Sequence, residues 1–162
     1  KSVTSIGNIA FQNCVSLTQV NIPDGVTSIG GSAFQYCHSL TRINIPDGVT
    51  SIGNQAFYSC YSLTQINIPD GVTSIGERAF YSCKTLCDIL LESKPTLSNT
   101  NAFNSLPTNY RIYVPRSDLS WFETATNWST IYTQGHIVAI EDYINYLESL
   151  GFNVDKYKEV TV

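Results

Sequence analysis

Hydrophobic and polar residues alternate in short stretches along the first two thirds of the chain. In residues 17–22, Val20 and Ile22 are separated by polar neighbours, which predicts a strand with one buried face and one solvated face. The Ile-Pro-Asp-Gly run that follows predicts a type I turn with Pro23 in its second position. Residues 26–29 form a short β-branched run and predict a second, shorter strand.

The remainder of this pattern predicts a tighter element and then starts again. Ala33, Phe34, Cys37 and Leu40 fall at helical spacing, so we expect a short helical or 3-10 turn that faces the core. The phrase Val-Thr-Ser-Ile-Gly recurs with a step of 23 residues, as do the Ala-Phe pairs and the Ile-Pro-Asp-Gly runs. The sequence therefore contains four near-identical units and a divergent fifth one over residues 3–116.

A single unit of this size cannot bury its own apolar face, but a stack of units can. Stacking in register places one aliphatic residue from each unit in a common inner row, namely Val20, Ile43, Ile66 and Ile89. The pattern therefore predicts a repeat solenoid over residues 1–116, with parallel strands joined by short helical turns.

The repeating phrases resemble a known family. Leu-x-x-Ile-x-Ile-Pro, then Val-Thr-x-Ile-Gly, then Ala-Phe-x-x-Cys-x-x-Leu is similar to the BspA-like, or Treponema-type, leucine-rich repeats of bacterial surface proteins. The resemblance implies a right-handed, β-rich leucine-rich-repeat superhelix on a cell surface or outside the cell. It further implies binding to a protein of a host or of a neighbouring cell. Such proteins carry a leading segment, so the start at Lys1 suggests an array truncated at its N-terminal end.

Residues 117–162 depart from the repeat and predict a C-terminal α+β cap. Residues 117–128 carry five apolar or aromatic residues after Ser117, a suitable N-cap. Residues 137–140 form a brief apolar strand candidate, and residues 141–150 show apolar positions at helical spacing before Gly151. We expect this region to cover the open end of the array.

Composition narrows the possible functions. The net charge of −4, with nine Lys and Arg residues, argues against nucleic-acid binding, which requires a clustered basic face. The apolar fraction of 43% excludes intrinsic disorder. No stretch approaches the roughly 20 apolar residues of a membrane-spanning helix, so we expect no membrane insertion.

The cysteines allow three interpretations. Cys14, Cys37, Cys60 and Cys83 follow the 23-residue step, whereas zinc sites use short Cys-x-x-Cys pairs. Equivalent residues of stacked units lie ~4.8 Å apart, within the reach of a disulfide, but their side chains point in parallel. We favour free, buried thiols that act as small hydrophobic residues. Cys87 lies outside the repeat, and we expect it to be the most accessible thiol.

The other candidate groups indicate no catalytic or metal chemistry. Asp24, Asp47 and Asp70 form an acidic row, but one carboxylate per turn is too few for calcium, and turn chemistry explains Asp before Gly. His38 and His136 have no carboxylate or cysteine close to them in the sequence that would suit a nucleophile and its base. We therefore expect no cofactor, no metal and no enzymatic activity.

The candidate binding residues are those that point outward from the main strands, two from each unit. They are Gln19 and Asn21, Arg42 and Asn44, Gln65 and Asn67, Asp88 and Leu90, and Arg111 and Tyr113. They form either a solvated face with hydrogen-bonded asparagines or a contact patch from Arg42 to Tyr113. The contact-patch interpretation is favoured because these residues vary between units while the rest of the repeat stays constant. It is also favoured by the presence of Arg and Tyr, which tend to anchor interfaces. The flat patch measures only about 270 Å² from strand spacing, against ~800 Å² for a standard interface.

Two functional hypotheses remain open. In the first, the chain is a non-enzymatic recognition or adhesion module that binds a protein partner through the outward face. In the second, the array is a structural spacer or stalk that displays other domains of a larger surface protein. The near-identity of the first three outward rows favours the spacer, and the variation of the last two favours the recognition module.

Overall fold

A computed structural model describes residues 2–158 of the chain. Strands alternate with turns through the repeats, and the α-helices of the described residues lie in the C-terminal part. The strands are β1 (Ser5–Ile6), β2 (Gln19–Asn21), β3 (Ser28–Ile29), β4 (Arg42–Asn44), β5 (Ser51–Ile52), β6 (Gln65–Ile68), β7 (Ser74–Ile75), β8 (Asp88–Leu91), β9 (Thr96–Leu97), β10 (Arg111–Val114) and β11 (Ile137–Ala139). The α-helices are α1 (Leu119–Thr124), α2 (Trp128–Thr133) and α3 (Ile144–Ser149). The 3-10 helices are Thr100–Phe103, Arg116–Asp118, Ile140–Asp142 and Asp155–Tyr157.

The short Ser-Ile strands stack into a five-stranded parallel sheet in the order β1-β3-β5-β7-β9. Ile29 pairs with Ile52 and Ile52 with Ile75, so each strand is displaced by one repeat from the next. Glycines follow β3, β5 and β7, and at Gly30, Gly53 and Gly76 the absence of a side chain allows neighbouring repeats to approach closely. A Cβ atom on Gly30 would lie 2.6 Å from the backbone nitrogen of Asn8, which no side chain tolerates without a shift.

The main strands form a second parallel layer. β11, β10, β8 and β6 form one sheet in that order, whereas β2 and β4 pair separately and lie beside it. Val20 pairs with Ile43, and Ile66 pairs with Ile89, which in turn pairs with Ile112. These residues belong to a single core, so the predicted inner row and the repeat solenoid are confirmed.

The turn after each main strand is shifted by one residue from the prediction. The amide N–H of Val26 donates to the carbonyl of Pro23 at 3.0 Å, and Val49 bonds Pro46 in the same way. Proline therefore occupies the first position of the turn, and Asp and Gly are its two central residues. The expected placement of proline in the second position was wrong, because the closing hydrogen bond of the turn is accepted by the proline carbonyl and not by the carbonyl of the isoleucine before it.

The predicted helical turns are chains of tight turns rather than continuous helices. Within a unit, the N–H of Ala33 donates to Gly30 and that of Cys37 donates to Phe34, but Ser32 and Tyr36 between them adopt left-handed φ values of 54° and 61°. The freed amides pair with the next unit, as when the N–H of Phe34 donates to Ala56 at 2.8 Å. Only the fifth unit closes into a 3-10 helix among the described residues.

A column of aromatic rings runs through the core. Phe11, Phe34, Phe57, Phe80 and Phe103 stack with centroids 5.1 to 5.4 Å apart. Trp128 of α2 ends the column at 5.7 Å from Phe103, and its indole N–H donates to the carbonyl of Pro95 at 2.6 Å. Together with Phe122 of α1, Trp128 covers the end of the core.

The chain beyond β11 does not remain at that end. Residues 140–157, which we name the strap, turn back over the outward face of β8 and β10. The strap contains α3 and the 3-10 helices Ile140–Asp142 and Asp155–Tyr157. The region expected to cover only the end of the array therefore covers part of a side face as well.

Candidate functional site

The outward face of β2, β4 and β6 is open. Gln19, Asn21, Arg42 and Asn44 are exposed, and Gln65 and Asn67 are half-buried. The strand period of two places the aliphatic residues between them in the core and leaves these polar side chains on the other side. Among residues 2–158, no side-chain hydrogen bond joins Asn21, Asn44 and Asn67, so the hydrogen-bonded asparagine row of the first alternative is absent.

The outward face of β8 and β10 is covered instead. Asp88, Leu90 and Tyr113 are 8%, 0% and 2% exposed. Arg111 is half-buried, and its guanidinium donates to the carbonyl of Tyr110 at 3.0 Å. The expectation that these rows form an open contact patch was wrong for Asp88, Leu90 and Tyr113, because the strap packs on them.

Apolar side chains hold the strap on this half of the face. Leu90 and Tyr113 form a second hydrophobic cluster with four buried residues of the strap, Ile140, Leu147, Phe152 and Val154. This cluster is separate from the core of the solenoid. Burial of a leucine side chain contributes about 1.5–3 kcal/mol, so the cluster is the main attachment of the strap.

A buried carboxylate adds a polar attachment. The phenol of Tyr113 donates to Oδ1 of Asp88 at 2.8 Å, and the phenol of Tyr146 in α3 donates to Oδ2 at 3.2 Å. Burial, and after it the Asp88 carboxylate, raises the pKa of Tyr113 and of Tyr146. Both phenols therefore remain protonated donors at neutral pH, and each carboxylate oxygen has a partner.

Further polar contacts lie along the edges of the strap. The side-chain amide of Gln65 donates to the carbonyl of Leu150 at 2.9 Å. Lys156 forms an ion pair with Glu92, and the Tyr157 phenol donates to the same carboxylate at 3.4 Å. Burial, followed by the charge of Glu92, raises the pKa of Tyr157 to about 12.

The end of the strap and the open strands enclose a cleft of about 740 Å³. Its floor is the face of β2, β4 and β6, and its wall is the segment from Leu150 to Asn153. Arg42 carries the only formal charge among its lining residues. The volume lies in the range of ligand cavities, about 300–1,000 Å³.

The wall of this cleft was not predicted from the sequence, although a signal for it existed. The outward position that holds asparagine in the first three units holds Leu90 and Tyr113 in the next two. An apolar side chain at a position that is otherwise polar indicates a covering element. This substitution pattern locates the strap, but it does not identify Leu150 to Asn153 as the residues that reach the cleft.

The thiols have structural surroundings. All five cysteines are free, as favoured from the sequence; Cys37, Cys60 and Cys83 are buried, while Cys14 and Cys87 are half-buried. The thiol of Cys37 donates to the carbonyl of Phe11 at 3.1 Å, and Cys60 and Cys83 repeat this bond one and two units later. Burial raises the pKa of Cys37 to about 11 and that of Cys83 to about 12. These thiols remain protonated and fill the core.

The remaining candidates form no metal-binding cluster in the described part of the chain. Asp24, Asp47 and Asp70 are exposed at successive turns. No three His, Cys, Asp or Glu side chains of residues 2–158 converge in an arrangement that could hold a metal ion. No helix within that range has the length and apolar character needed to cross a bilayer.

Comparison with known proteins agrees with this geometry. The sequence profile of the BspA type leucine rich repeat region, with 6 copies, matches residues 4–125. The chain belongs to the BspA type leucine-rich-repeat family. The resemblance seen in the repeating phrases is therefore confirmed, and BspA type repeats account for the solenoid.

Solved structures show the same fold. The leucine rich repeat protein of T. pallidum is 36% identical, with a TM-score of 0.62 over 70% of this chain and 52% of that one. A leucine rich cell surface protein from Faecalibacterium prausnitzii is 34% identical, with a TM-score of 0.71 over 78% of this chain and 33% of that one. This BspA type chain thus spans about half and one third of the lengths of these relatives. A comparison with curated protein sequences finds no match.

Proposed function

We propose that this BspA type array is a non-enzymatic recognition module that binds a protein partner through the cleft above β2, β4 and β6. The observation that carries the proposal is the cleft itself, an open polar face with a wall supplied by the strap. Arg42, Asn21 and Asn44 are exposed there and have no intramolecular side-chain partner within residues 2–158. Leaving such groups free preserves their donors and acceptors for a partner.

The setting of this recognition is a cell surface. A relative 34% identical to this chain is named a leucine rich cell surface protein, and this supports the same location here. The partner in this proposal is a protein of a host or of a neighbouring cell. Recognition by this family also fits the polar, weakly charged composition of the chain, in which 14% of residues are charged.

The size of the open face sets the expected affinity. Three strands at ~4.8 Å spacing and two outward residues per strand give about 130 Å², less than a fifth of a standard half-interface. The cleft alone therefore binds weakly, and strong attachment requires further repeats or many copies. Affinity for a protein partner should increase with the number of repeats.

A structural spacer is the second candidate, and one observation favours it. The variation in the last two outward rows, which favoured recognition at the sequence level, is explained by packing against the strap. The rows that remain open, on β2, β4 and β6, are the near-identical ones. If the array is a spacer, a bulky side chain placed in the cleft should not change the binding of any ligand to the chain.

The test uses the 162-residue chain, displayed in many copies on beads, and a phage library of random 12-residue peptides. Peptides selected on the wild type are then measured on Asn44→Trp, which fills the cleft, and on Asn109→Trp, an exposed control position outside it. Recognition through the cleft predicts a loss of at least about ten-fold for Asn44→Trp, equal to 1.4 kcal/mol. Equal binding to both variants, or no selected peptide, would support the spacer.

A further inference from the structure

The charged group of the cleft identifies the chemistry of its occupant. Arg42 is exposed on β4, and its guanidinium has no hydrogen bond, ion pair or ring contact within residues 2–158. The other three arginines all have partners: Arg78 has Glu77, Arg111 has backbone carbonyls, and Arg116 has Asp142. Arg42 also replaces the neutral glutamines of the two neighbouring units, Gln19 and Gln65.

We propose that the occupant is an extended, acidic polypeptide segment whose carboxylate is bound by Arg42. This inference rests on the proposed function and specifies the partner chemistry of the same cleft. A guanidinium presents five donors in a planar fork and pairs with a carboxylate through two parallel hydrogen bonds. A single such charge among neutral lining residues suits one acidic side chain rather than a polyanion.

The amides beside Arg42 fit a peptide backbone. Asn44 lies two residues further along β4 on the same face, about 6.6 Å away by strand rise. Alternate residues of an extended peptide have the same spacing, so a carboxylate on Arg42 places the next backbone amide pair over Asn44. Asn amides supply both donors and an acceptor, which matches the N–H and C=O groups of a backbone.

Asn67 continues this arrangement on β6. Its side chain lines the cleft, and its buried Oδ1 atom has no hydrogen-bond partner within residues 2–158. A buried acceptor without a partner destabilises the unoccupied cleft, and an occupant that donates a hydrogen bond to it removes this penalty. Phe152 in the wall is only 9% exposed and offers no open ring for a sugar to stack on. A peptide therefore fits the lining better than a glycan.

The repeat supplies two matched substitutions for the test. Arg42→Gln introduces the residue found at the same position in the units before and after it. Arg78→Gln introduces the residue found at the equivalent position of the preceding unit, Gln55. Arg78 and Gln55 both have left-handed φ values, 54° and 58°, so the backbone at this position already accommodates glutamine. Each variant removes one exposed arginine from the 162-residue chain, and of these two arginines only Arg42 lines the cleft.

The experiment sequences the 12-residue peptides selected from the random phage library on the wild type, Arg42→Gln and Arg78→Gln. We expect Asp and Glu to be enriched on the wild type and on Arg78→Gln, and this enrichment to vanish on Arg42→Gln. Individual acidic peptides should bind Arg42→Gln about five- to ten-fold more weakly. Replacing their Asp or Glu by Asn or Gln should produce the same loss on the wild type and no further loss on Arg42→Gln.

Other outcomes separate the two proposals. Peptides without acidic enrichment that still lose binding to Asn44→Trp would overturn the acidic-segment inference and leave cleft recognition standing. Peptides insensitive to Asn44→Trp would overturn both. If 3′-sialyllactose, a carboxylate-bearing sugar, binds with the same Arg42 dependence while no acidic peptide does, the occupant is a glycan and the peptide assignment is wrong.

Discussion

The two halves of the outward face are built from equivalent positions and have opposite environments. On β2 and β4 these positions hold amides and Arg42 in contact with solvent, whereas on β8 and β10 they hold Asp88, Leu90 and Tyr113 under the strap. The repeat alone does not determine which residues are available for binding. In this array, the apolar residues Leu90 and Tyr113 at the position that otherwise holds asparagine mark where the chain packs on itself.

The two halves also differ in what they bind: the covered half holds the strap, and the open half is available to a partner. The covered half combines an apolar cluster with a carboxylate that accepts hydrogen bonds from two phenols, one of them the buried Tyr113. Such a hydrogen bond is stronger in surroundings of low dielectric constant than in water. The open half has unpaired polar groups, which are stable because solvent hydrates them. A partner competes with water on the open half, but on the covered half it would first have to displace the strap.

Exchanging the residues that distinguish the two halves should produce the largest effect. Leu90→Asn introduces, under the strap, the asparagine that the open rows hold at the equivalent position. Because apolar burial is lost and the amide has no hydrogen-bond partner, docking of the strap should be weakened by about 3–5 kcal/mol. Asn44→Leu makes the reverse change at an exposed site and should alter stability by less than about 0.5 kcal/mol. Urea unfolding measures both, and hydrogen exchange of residues 144–154 reports the strap directly. Wild-type protection of those amides in Leu90→Asn would show that the apolar cluster does not hold the strap.

The buried carboxylate provides the next test. Tyr113→Phe removes one of the two phenols that donate to Asp88. Because Tyr113 is only 2% exposed, water cannot replace the phenol, and the free energy of unfolding should fall by about 1.5–3 kcal/mol. Tyr146→Phe removes the other donor, but Tyr146 is 46% exposed and water replaces the phenol, so the loss should stay below about 1 kcal/mol. Chemical denaturation of the two variants measures the difference. Equal small losses would mean that water reaches Asp88 from both sides, and equal large losses would mean that it reaches Asp88 from neither.

The contrast also explains what the sequence could predict. The 23-residue step fixes the register of Val20, Ile43 and Ile66, because identical units bury identical residues. The position of the strap depends on contacts between residues far apart in the chain, such as Gln65 and Leu150, for which no local pattern exists. Leu90 signals that a cover exists but not which segment supplies it. The turn was misplaced by one residue because composition alone does not distinguish Pro-Asp-Gly registers.

The boundary between the two halves gives the smallest and most local effect. Gln65 and Gln19 occupy equivalent positions, but only Gln65 reaches the strap, where it donates to the carbonyl of Leu150 at 2.9 Å. Gln65→Ala should therefore lower the free energy of unfolding by about 0.5–1.5 kcal/mol, the net contribution of one neutral hydrogen bond. Gln19→Ala, at an exposed position without a partner in residues 2–158, should change stability by less than about 0.5 kcal/mol.

Hydrogen exchange is the decisive measurement for this pair, because the wall of the cleft is the end of the strap. Loss of the Gln65 bond should raise the exchange rates at Gly151 and Phe152 while the rates in α3 change less, since Leu147 remains buried in the apolar cluster. A uniform increase through the whole strap would show that the strap opens as one cooperative unit and that the wall cannot move alone. Unchanged rates at Gly151 in Gln65→Ala would show that the apolar cluster by itself positions the wall.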